Sequence, residues 1–154
     1  MKNEIKEFEL DWDNISKIGL GNLKKWSEAL KKNKRKARGS LKSGNGGRCC
    51  LRVAEETFVS REKWGMGKDY FPKTNFWPHS YNSRQMRIAN TTSVCCGYSF
   101  ASLNDGLEND DFIVKCGAKQ YLVKAGKGLS HNKIAEVIDY VISKMEKTEE
   151  KEND

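Results

Sequence analysis

The chain has few of the features that mark the commoner functional classes. It has no apolar run approaching the roughly 20 residues that a membrane-spanning helix needs. Its first residues, "MKNEIKEFELDWDN", carry acidic side chains throughout and lack the apolar stretch of a signal peptide. The two histidines, His79 and His131, are too few and too far apart to indicate a catalytic triad. These absences favour a cytoplasmic protein that neither spans a membrane nor carries a triad.

Motifs for metals and for phosphate loops are missing as well. None of the five cysteines has the Cys-x2–4-Cys spacing of structural zinc sites. The glycine-rich stretch "GSLKSGNGG" lacks the Gly-Lys-Ser/Thr ending of a Walker loop. No closely spaced carboxylates indicate two-metal nuclease chemistry. The sequence therefore predicts no cofactor and no resident metal.

Four of the five cysteines form two adjacent pairs, in "GGRCCLRVAEE" (46–56) and "TSVCCGYSFAS" (92–102). Adjacent side chains diverge by about 100° on a helix and point to opposite faces of a strand, so neighbours rarely ligate one metal. Because free cysteine is among the most buried residue types, we predict that these thiols mainly fill the core. Three alternatives stay open: a metal site assembled in space, disulfides, and a nucleophile at Cys49, which follows Arg48.

Positive charge is in excess over most of the chain. The net charge is +7, and the last nine residues hold five acids and two lysines, which leaves +10 for residues 1–145. A body with this charge favours anionic partners, either nucleic acid or phosphorylated small molecules. The alternative explanation is that the lysines serve solubility.

The hydrophobic pattern predicts a small single α+β domain over residues 1–146, followed by a disordered acidic tail at 147–154. We expect several helices with a short β-hairpin or a small antiparallel sheet. The final helix is the clearest, because Ser130 is a good N-cap and an apolar stripe follows it. The expected helices span 20–32, about 49–57, part of "CCGYSFASLND" and 131–146, and the expected strands lie within 5–12 and at 112–116 and 120–124.

Two stretches combine the side chains that recognise nucleotides. "KKNKRKAR" (31–38) has six basic residues in eight and precedes the glycine-rich loop, where backbone N–H groups can bind anions. Residues 58–81 interleave aromatic rings with cations, the mixture that stacks bases and binds phosphates. An aspartate beyond a helix can bind ribose hydroxyls. The candidate ligand-binding residues are Lys34, Arg35, Arg38, Arg48, Trp64, Tyr70, Trp77, His79, Arg84, Asn104 and Asp105.

Each of these features also has a purely structural explanation. The basic run is then a solvated helix end, and Asn104 with Asp105 simply ends a helix. The aromatic residues of 58–81 are then a second layer of core, and we expect Phe58 among those that point inward.

The segment "KKWSEALKKNKRKARGSLKSGNGGRCCLRVAEE" resembles the N-terminal half of a small, uncharacterised family of tailed-bacteriophage proteins. That family has Trp-x-x-Ala-Leu, a basic glycine-containing stretch and Gly-x-Cys-Cys-Leu-Gly-Val-Leu, then Leu-Asn-Asp and a later Ile-Ala. Arg52 replaces a family glycine, and the hairpin region replaces a short family turn. The resemblance implies a viral accessory protein in the cytoplasm of an infected host cell, and it implies no activity. The matched residues are Trp26, Ala29, Leu30, Gly47, Cys49, Cys50, Leu51, Val53, Leu103, Asn104, Asp105, Ile134, Ala135, Asp139 and Ile142.

Together these observations favour a binding protein over an enzyme. The leading hypothesis is a phage-type accessory protein that sequesters an anionic nucleotide, for example a host-defence signal. Two alternatives stay open, a protein that binds nucleic acid or inhibits a host enzyme, and a cysteine-dependent enzyme using Cys49. The sequence also leaves open a homo-oligomer.

Overall fold

The computed structural model describes residues 5–33, 50–58 and 100–153. In these ranges the chain forms helices and a three-stranded sheet, so the predicted α+β class is confirmed. The helices are α1 (Trp12–Ile15), α2 (Leu20–Lys32), α3 (Cys50–Phe58), α4 (Phe100–Asp105) and α5 (His131–Asn153), and the strands are β1 (Lys6–Glu9), β2 (Phe112–Cys116) and β3 (Lys119–Val123).

The sheet has the strand order β1-β2-β3 and is mixed. β2 and β3 form the predicted antiparallel hairpin, in which Phe112 pairs with Val123 and Cys116 with Lys119. β1 lies on the other side of β2 and runs parallel to it, with Lys6 opposite Phe112. Because side chains alternate between the two faces of a strand, one face of the sheet is buried. The buried residues of the hairpin are Phe112, Val114, Cys116, Tyr121 and Val123.

Helices α2 and α5 pack against each other in antiparallel directions. Lys24, near the start of α2, pairs with Glu146 towards the end of α5, with 3.4 Å between Nζ and Oε1. Lys31, near the end of α2, pairs with Asp139, with 2.8 Å between Nζ and Oδ2. Apolar residues at helical spacing fill the interface and join the buried face of the sheet in one core. They include Leu23, Trp26 and Leu30 of α2 and Ile134, Val137, Ile138 and Val141 of α5.

Helix α5 begins where its N-cap predicted and ends later than expected. The backbone N–H of Lys133 donates to Ser130 Oγ at 3.3 Å, which caps the helix. The helix continues to Asn153, through most of the segment that the composition predicted as a disordered tail. Glutamate and lysine dominate this extension, and both are good helix formers.

The N-terminal strand lies within residues 5–12, where the alternating pattern predicted it. β1 ends at Glu9, and α1 begins at Trp12. The N–H of Leu10 still donates to the Lys115 carbonyl at 3.0 Å, so pairing with β2 continues one residue past β1. None of the helices within residues 5–33, 50–58 and 100–153 is long and apolar enough to cross a membrane.

Candidate functional site

The candidate ligand-binding residues divide between two segments and one helix. Lys34, Arg35, Arg38 and Arg48 fall in 34–49, which we call the basic segment, and lie outside the described residues. We call residues 59–99 the aromatic segment. The candidate residues in this segment also lie outside the described residues: Trp64, Tyr70, Trp77, His79 and Arg84. The structure does describe Asn104 and Asp105, and it describes the residues next to both ends of each segment: Asn33, Cys50, Phe58 and Phe100.

Asn33, which precedes the basic segment, is held by the first residue of α5. The ring Nδ1 of His131 donates to the Asn33 carbonyl at 2.5 Å, and His131 is almost fully buried. This hydrogen bond satisfies a carbonyl at the end of α2, where the last four carbonyls have no partner within the helix. The end of α2 is therefore fixed against the start of α5.

Cys50, which follows the basic segment, is held through three of its atoms. Its N–H donates to Asn104 Oδ1 at 2.9 Å, and its carbonyl accepts from Trp26 Nε1 at 2.9 Å. Its thiol donates to the Phe100 carbonyl at 3.4 Å. All the atoms involved are buried, where an unsatisfied donor or acceptor costs about 1–3 kcal/mol. The start of α3 is therefore fixed to both α2 and α4.

The ends of the aromatic segment meet the same tryptophan. The ring of Phe58, just before this segment, lies edge-on to Trp26 with 6.0 Å between centroids. The ring of Phe100, just after the segment, lies 4.6 Å from Trp26 in a tilted arrangement. Such aromatic pairs contribute about 0.5–1.5 kcal/mol each beyond the area they bury. Trp26, which is fully buried, thus contacts three of the four residues that adjoin the two segments.

Asn104 has a structural task in this arrangement. Its side chain is fully buried; Oδ1 caps α3, and Nδ2 donates to Asp105 Oδ1 at 2.7 Å. The backbone beside it also packs tightly, because a Cβ on Gly128 would lie 2.2 Å from the Asn104 carbonyl oxygen. The helix-ending explanation of Asn104 and Asp105 agrees with α4 ending at Asp105. A ligand contact from either residue stays a prediction.

Sequence reasoning did not assign a positioning role to Trp26 or His131. In the sequence, Trp26 stands out only as a residue matched in the family resemblance, and His131 only as one of two histidines too far apart to indicate a catalytic triad. A signal for Trp26 exists, because a buried indole N–H needs a hydrogen-bond acceptor. Its acceptor lies 24 residues away and cannot be found from local pattern.

Charge is distributed unequally between the described residues and the two segments. The described residues hold 15 basic and 17 acidic side chains, a net of −2. The basic segment has six basic residues and no acids, and the aromatic segment has six basic and two acidic residues, so together they carry +10. Among the described residues, several lysines are already paired with carboxylates, as in Lys115 with Glu7 at 3.1 Å and Lys124 with Asp111 at 3.8 Å. The positive excess of the chain therefore comes from the two segments.

Two of the five cysteines, Cys50 and Cys116, are described, and the thiols of both are buried in the core. The predicted packing role is confirmed for Cys50, whereas Cys49, Cys95 and Cys96 lie outside the described residues. Cys116, which belongs to neither pair, is also buried. Burial, with a smaller contribution from Glu9, raises the pKa of Cys116 to about 12, so its thiol is protonated at neutral pH. Within the described part of the chain, no group of three or more His, Cys, Asp and Glu side chains is placed to hold a metal ion.

Comparisons with known proteins give no further guide to the site. No protein-family model matches the chain, and neither the curated proteins nor the solved structures give a match.

Proposed function

We propose that this protein binds an anionic nucleotide and sequesters it without turnover, as a phage-type accessory protein acting in the cytoplasm of an infected host. The observation that carries the proposal is the location of charge. A net charge of +10 lies in two segments, and three of the four described residues that adjoin them contact one buried tryptophan. The described residues themselves carry a net charge of −2.

The residue types in the two segments are complementary to the two parts of a nucleotide. Guanidinium groups such as those of Arg35 and Arg38 bind phosphate oxygens in pairs, through planar and permanently charged donors. Aromatic rings such as that of Trp77 stack on bases, at about 1–3 kcal/mol per base. Sequestration needs only a site that is ordered before binding, since a preorganised site loses less entropy when it binds. No catalytic group is required.

The test is native mass spectrometry of the protein with cyclic, linear and ADP-ribose-type nucleotides, followed by affinity measurements. We expect a stoichiometric adduct in which the ligand mass is unchanged. Arg35→Ala with Arg38→Ala should weaken binding at least about tenfold, because a hydrogen bond to a charged group contributes about 1.5–3 kcal/mol.

The matched control is Lys119→Ala with Lys124→Ala, which removes the same charge from the hairpin region. These lysines pair with Glu136 and Asp111, and we expect the control to change affinity less than about twofold. Equal weakening by both pairs of substitutions would show a non-specific response to charge. Steady consumption of the ligand, or absence of any adduct, would contradict the proposal.

A further inference from the structure

We propose that the open edge of β3 pairs with the same strand of a second copy of this chain, so that the sheets of two protomers join into one continuous sheet. Within the described residues, the sheet ends at β1 on one side and at β3 on the other. The outer edge of an end strand presents backbone N–H and C=O groups that can pair with a further strand. The inference does not involve the nucleotide, so it stands or falls independently of the proposed function.

One hydrogen bond fixes the direction of the backbone groups throughout the sheet. The N–H of Leu10 donates to the Lys115 carbonyl at 3.0 Å, so the peptide groups of Lys115 face β1. Because these directions alternate along a strand, the residues of β2 on either side of Lys115 face β3, where one of them pairs with Tyr121. The peptide groups of Gln120 and Leu122, on either side of Tyr121, therefore point away from β2 and towards the open edge.

The side chains of β3 do not protect this edge against pairing. Edge strands are commonly protected by charged residues or proline, whereas Gln120 and Leu122 are uncharged and exposed. Leu122 has 41% of its surface exposed, and among the described residues Ile5 is the other exposed large hydrophobic residue. Lys119 begins the strand, but its Nζ lies 3.8 Å from Oε1 of Glu136 on α5. The edge of β3 is therefore open to a further strand.

The other edge of the sheet is protected against pairing with itself. Because the N–H of Leu10 faces β2, the same alternation turns the peptide groups of Glu7 and Glu9 towards the open edge of β1. Both of these residues are exposed. Pairing of β1 with its own copy would place Glu7 opposite Glu7 or Glu9 of the partner subunit, and like charges directly opposite each other are destabilising. Charge therefore selects β3 as the edge that can pair with a second copy.

The charges of β3 are compatible with a two-fold antiparallel pairing centred on Tyr121. A two-fold axis perpendicular to the sheet keeps every side chain on its own face, and it places Gln120 opposite Leu122 of the partner subunit, where the two exchange backbone hydrogen bonds. Lys119 then lies opposite Val123 of the partner subunit, so no like charges oppose each other. A strand of five residues buries less than a stable interface needs. We therefore expect a weak dimer, with a Kd of about 0.1–1 mM.

The first experiment is analytical ultracentrifugation of the full chain without ligand. We expect a monomer at about 0.02 mM and a substantial dimer fraction at about 1 mM. Leu122→Pro removes an N–H that faces the open edge and that β2 does not use, so this variant should stay monomeric at about 1 mM. The matched control is Glu9→Pro, which removes an edge-facing N–H from β1 and should leave the Kd within about twofold of the wild-type value.

A second pair of variants tests the register and needs no proline. Gln120→Lys with Leu122→Lys places lysine opposite lysine across the two-fold axis, whereas Gln120→Glu with Leu122→Lys places glutamate opposite lysine. Because opposite charges across a strand pair stabilise it and like charges destabilise it, the second variant should dimerise at least about fivefold more tightly than the first. This comparison decides the matter if Leu122→Pro does not fold.

Amide hydrogen exchange locates the contact. At about 1 mM, the amides of Gln120 and Leu122 should exchange about twofold to fivefold more slowly than at about 0.02 mM, because exchange then waits for dissociation. The amides of Glu7 and Glu9 should not change with concentration. The proposal is overturned by a monomer at about 1 mM, by equal effects of the two proline variants, or by equal dimerisation of the two charge variants.

Discussion

At the scale of single residues, burial changes the acid–base behaviour of two side chains on the inner face of the sheet. Burial raises the pKa of Cys116 from 9.0 to about 12, and Glu9 adds to the shift. The pKa of Tyr121 rises from 10.0 to about 12 through burial and the nearby carboxylate of Glu136, whose Oε1 accepts from the tyrosine hydroxyl at 3.4 Å. Both groups therefore hold their protons more tightly in the folded protein than in the unfolded chain.

These shifts predict a loss of stability at alkaline pH. Below pH 9.0 both states are protonated at these positions and the contribution to stability is fully present. As the pH rises from 9.0 towards 12, the unfolded chain loses protons that the folded protein keeps, so the free energy of unfolding falls. Urea denaturation at about pH 8 and about pH 11 measures the difference.

Cys116→Ala provides the comparison, because it removes the thiol with the larger shift. We expect this variant to be less stable than the wild type near pH 8, through the lost packing, but to lose less stability on going to about pH 11. An equal loss in the two proteins would show that the Cys116 thiol does not contribute to the pH dependence.

At the scale of secondary-structure elements, the start of α3 is capped from another helix. An N-cap side chain normally comes from the residue before its own helix, whereas the acceptor for Cys50 N–H is Asn104 of α4, 54 residues later. Such a cap stabilises the helical conformation of α3 and also fixes the position of α3 relative to α4. The cap thus links the end of α4 to the beginning of α3.

Removal of this cap should destabilise the protein measurably. Asn104→Ala leaves the buried N–H of Cys50 without its Asn104 acceptor, and we expect the free energy of unfolding to fall by about 1–3 kcal/mol. The control is Asn132→Ala, an exposed asparagine in the first turn of α5, which should change stability by less than about 0.5 kcal/mol. Chemical denaturation of the two variants checks the prediction, and similar values for both would refute the capping role.

The elements that sequence predicted well are those whose signals are local. α2 lies at the residues that the hydrophobic pattern predicted, the hairpin lies where its two strands were expected, and α5 begins after its predicted N-cap, Ser130. The parallel pairing of β1 with β2 could not be predicted, because it joins Lys6 to Phe112 and no local pattern encodes that register. The same holds for the site: its residue types can be read from composition, but the contacts of Trp26 depend on packing between distant helices.

At the scale of the whole molecule, the positive excess of the sequence lies in the basic and aromatic segments, whereas the described residues carry a net negative charge. The described residues carry −2 and the two segments carry +10, so under the proposed function we expect an anionic ligand to contact the segments. Both the nucleotide hypothesis and the nucleic-acid alternative use this positive charge. The two hypotheses differ in the number of phosphate groups that the basic side chains neutralise.

That difference predicts distinct responses to salt. ADP-ribose, with two phosphate charges, should lose no more than roughly tenfold in affinity between about 50 mM and 200 mM salt. A protein that neutralises six or more phosphates of DNA should lose about a thousandfold or more over the same range. Titrations of ADP-ribose and of a DNA duplex at the two salt concentrations distinguish the functions. Tight DNA binding with the steep response would favour the nucleic-acid alternative.

Contacts between described residues that are far apart in the sequence set the order in which the fold can form. β1 needs β2, and Ser27 of α2 hydrogen-bonds to Asp139 of α5, which lies 112 positions later in the chain. During synthesis, β1 and α2 leave the ribosome long before β2 and α5. The two early elements therefore lack these native neighbours while the basic and aromatic segments are still being synthesised. Contacts of such sequence separation slow folding and expose apolar surface in the meantime. We therefore expect the sheet and the packed helices α2 and α5 to complete their folding only after residues 131–145 have left the ribosome.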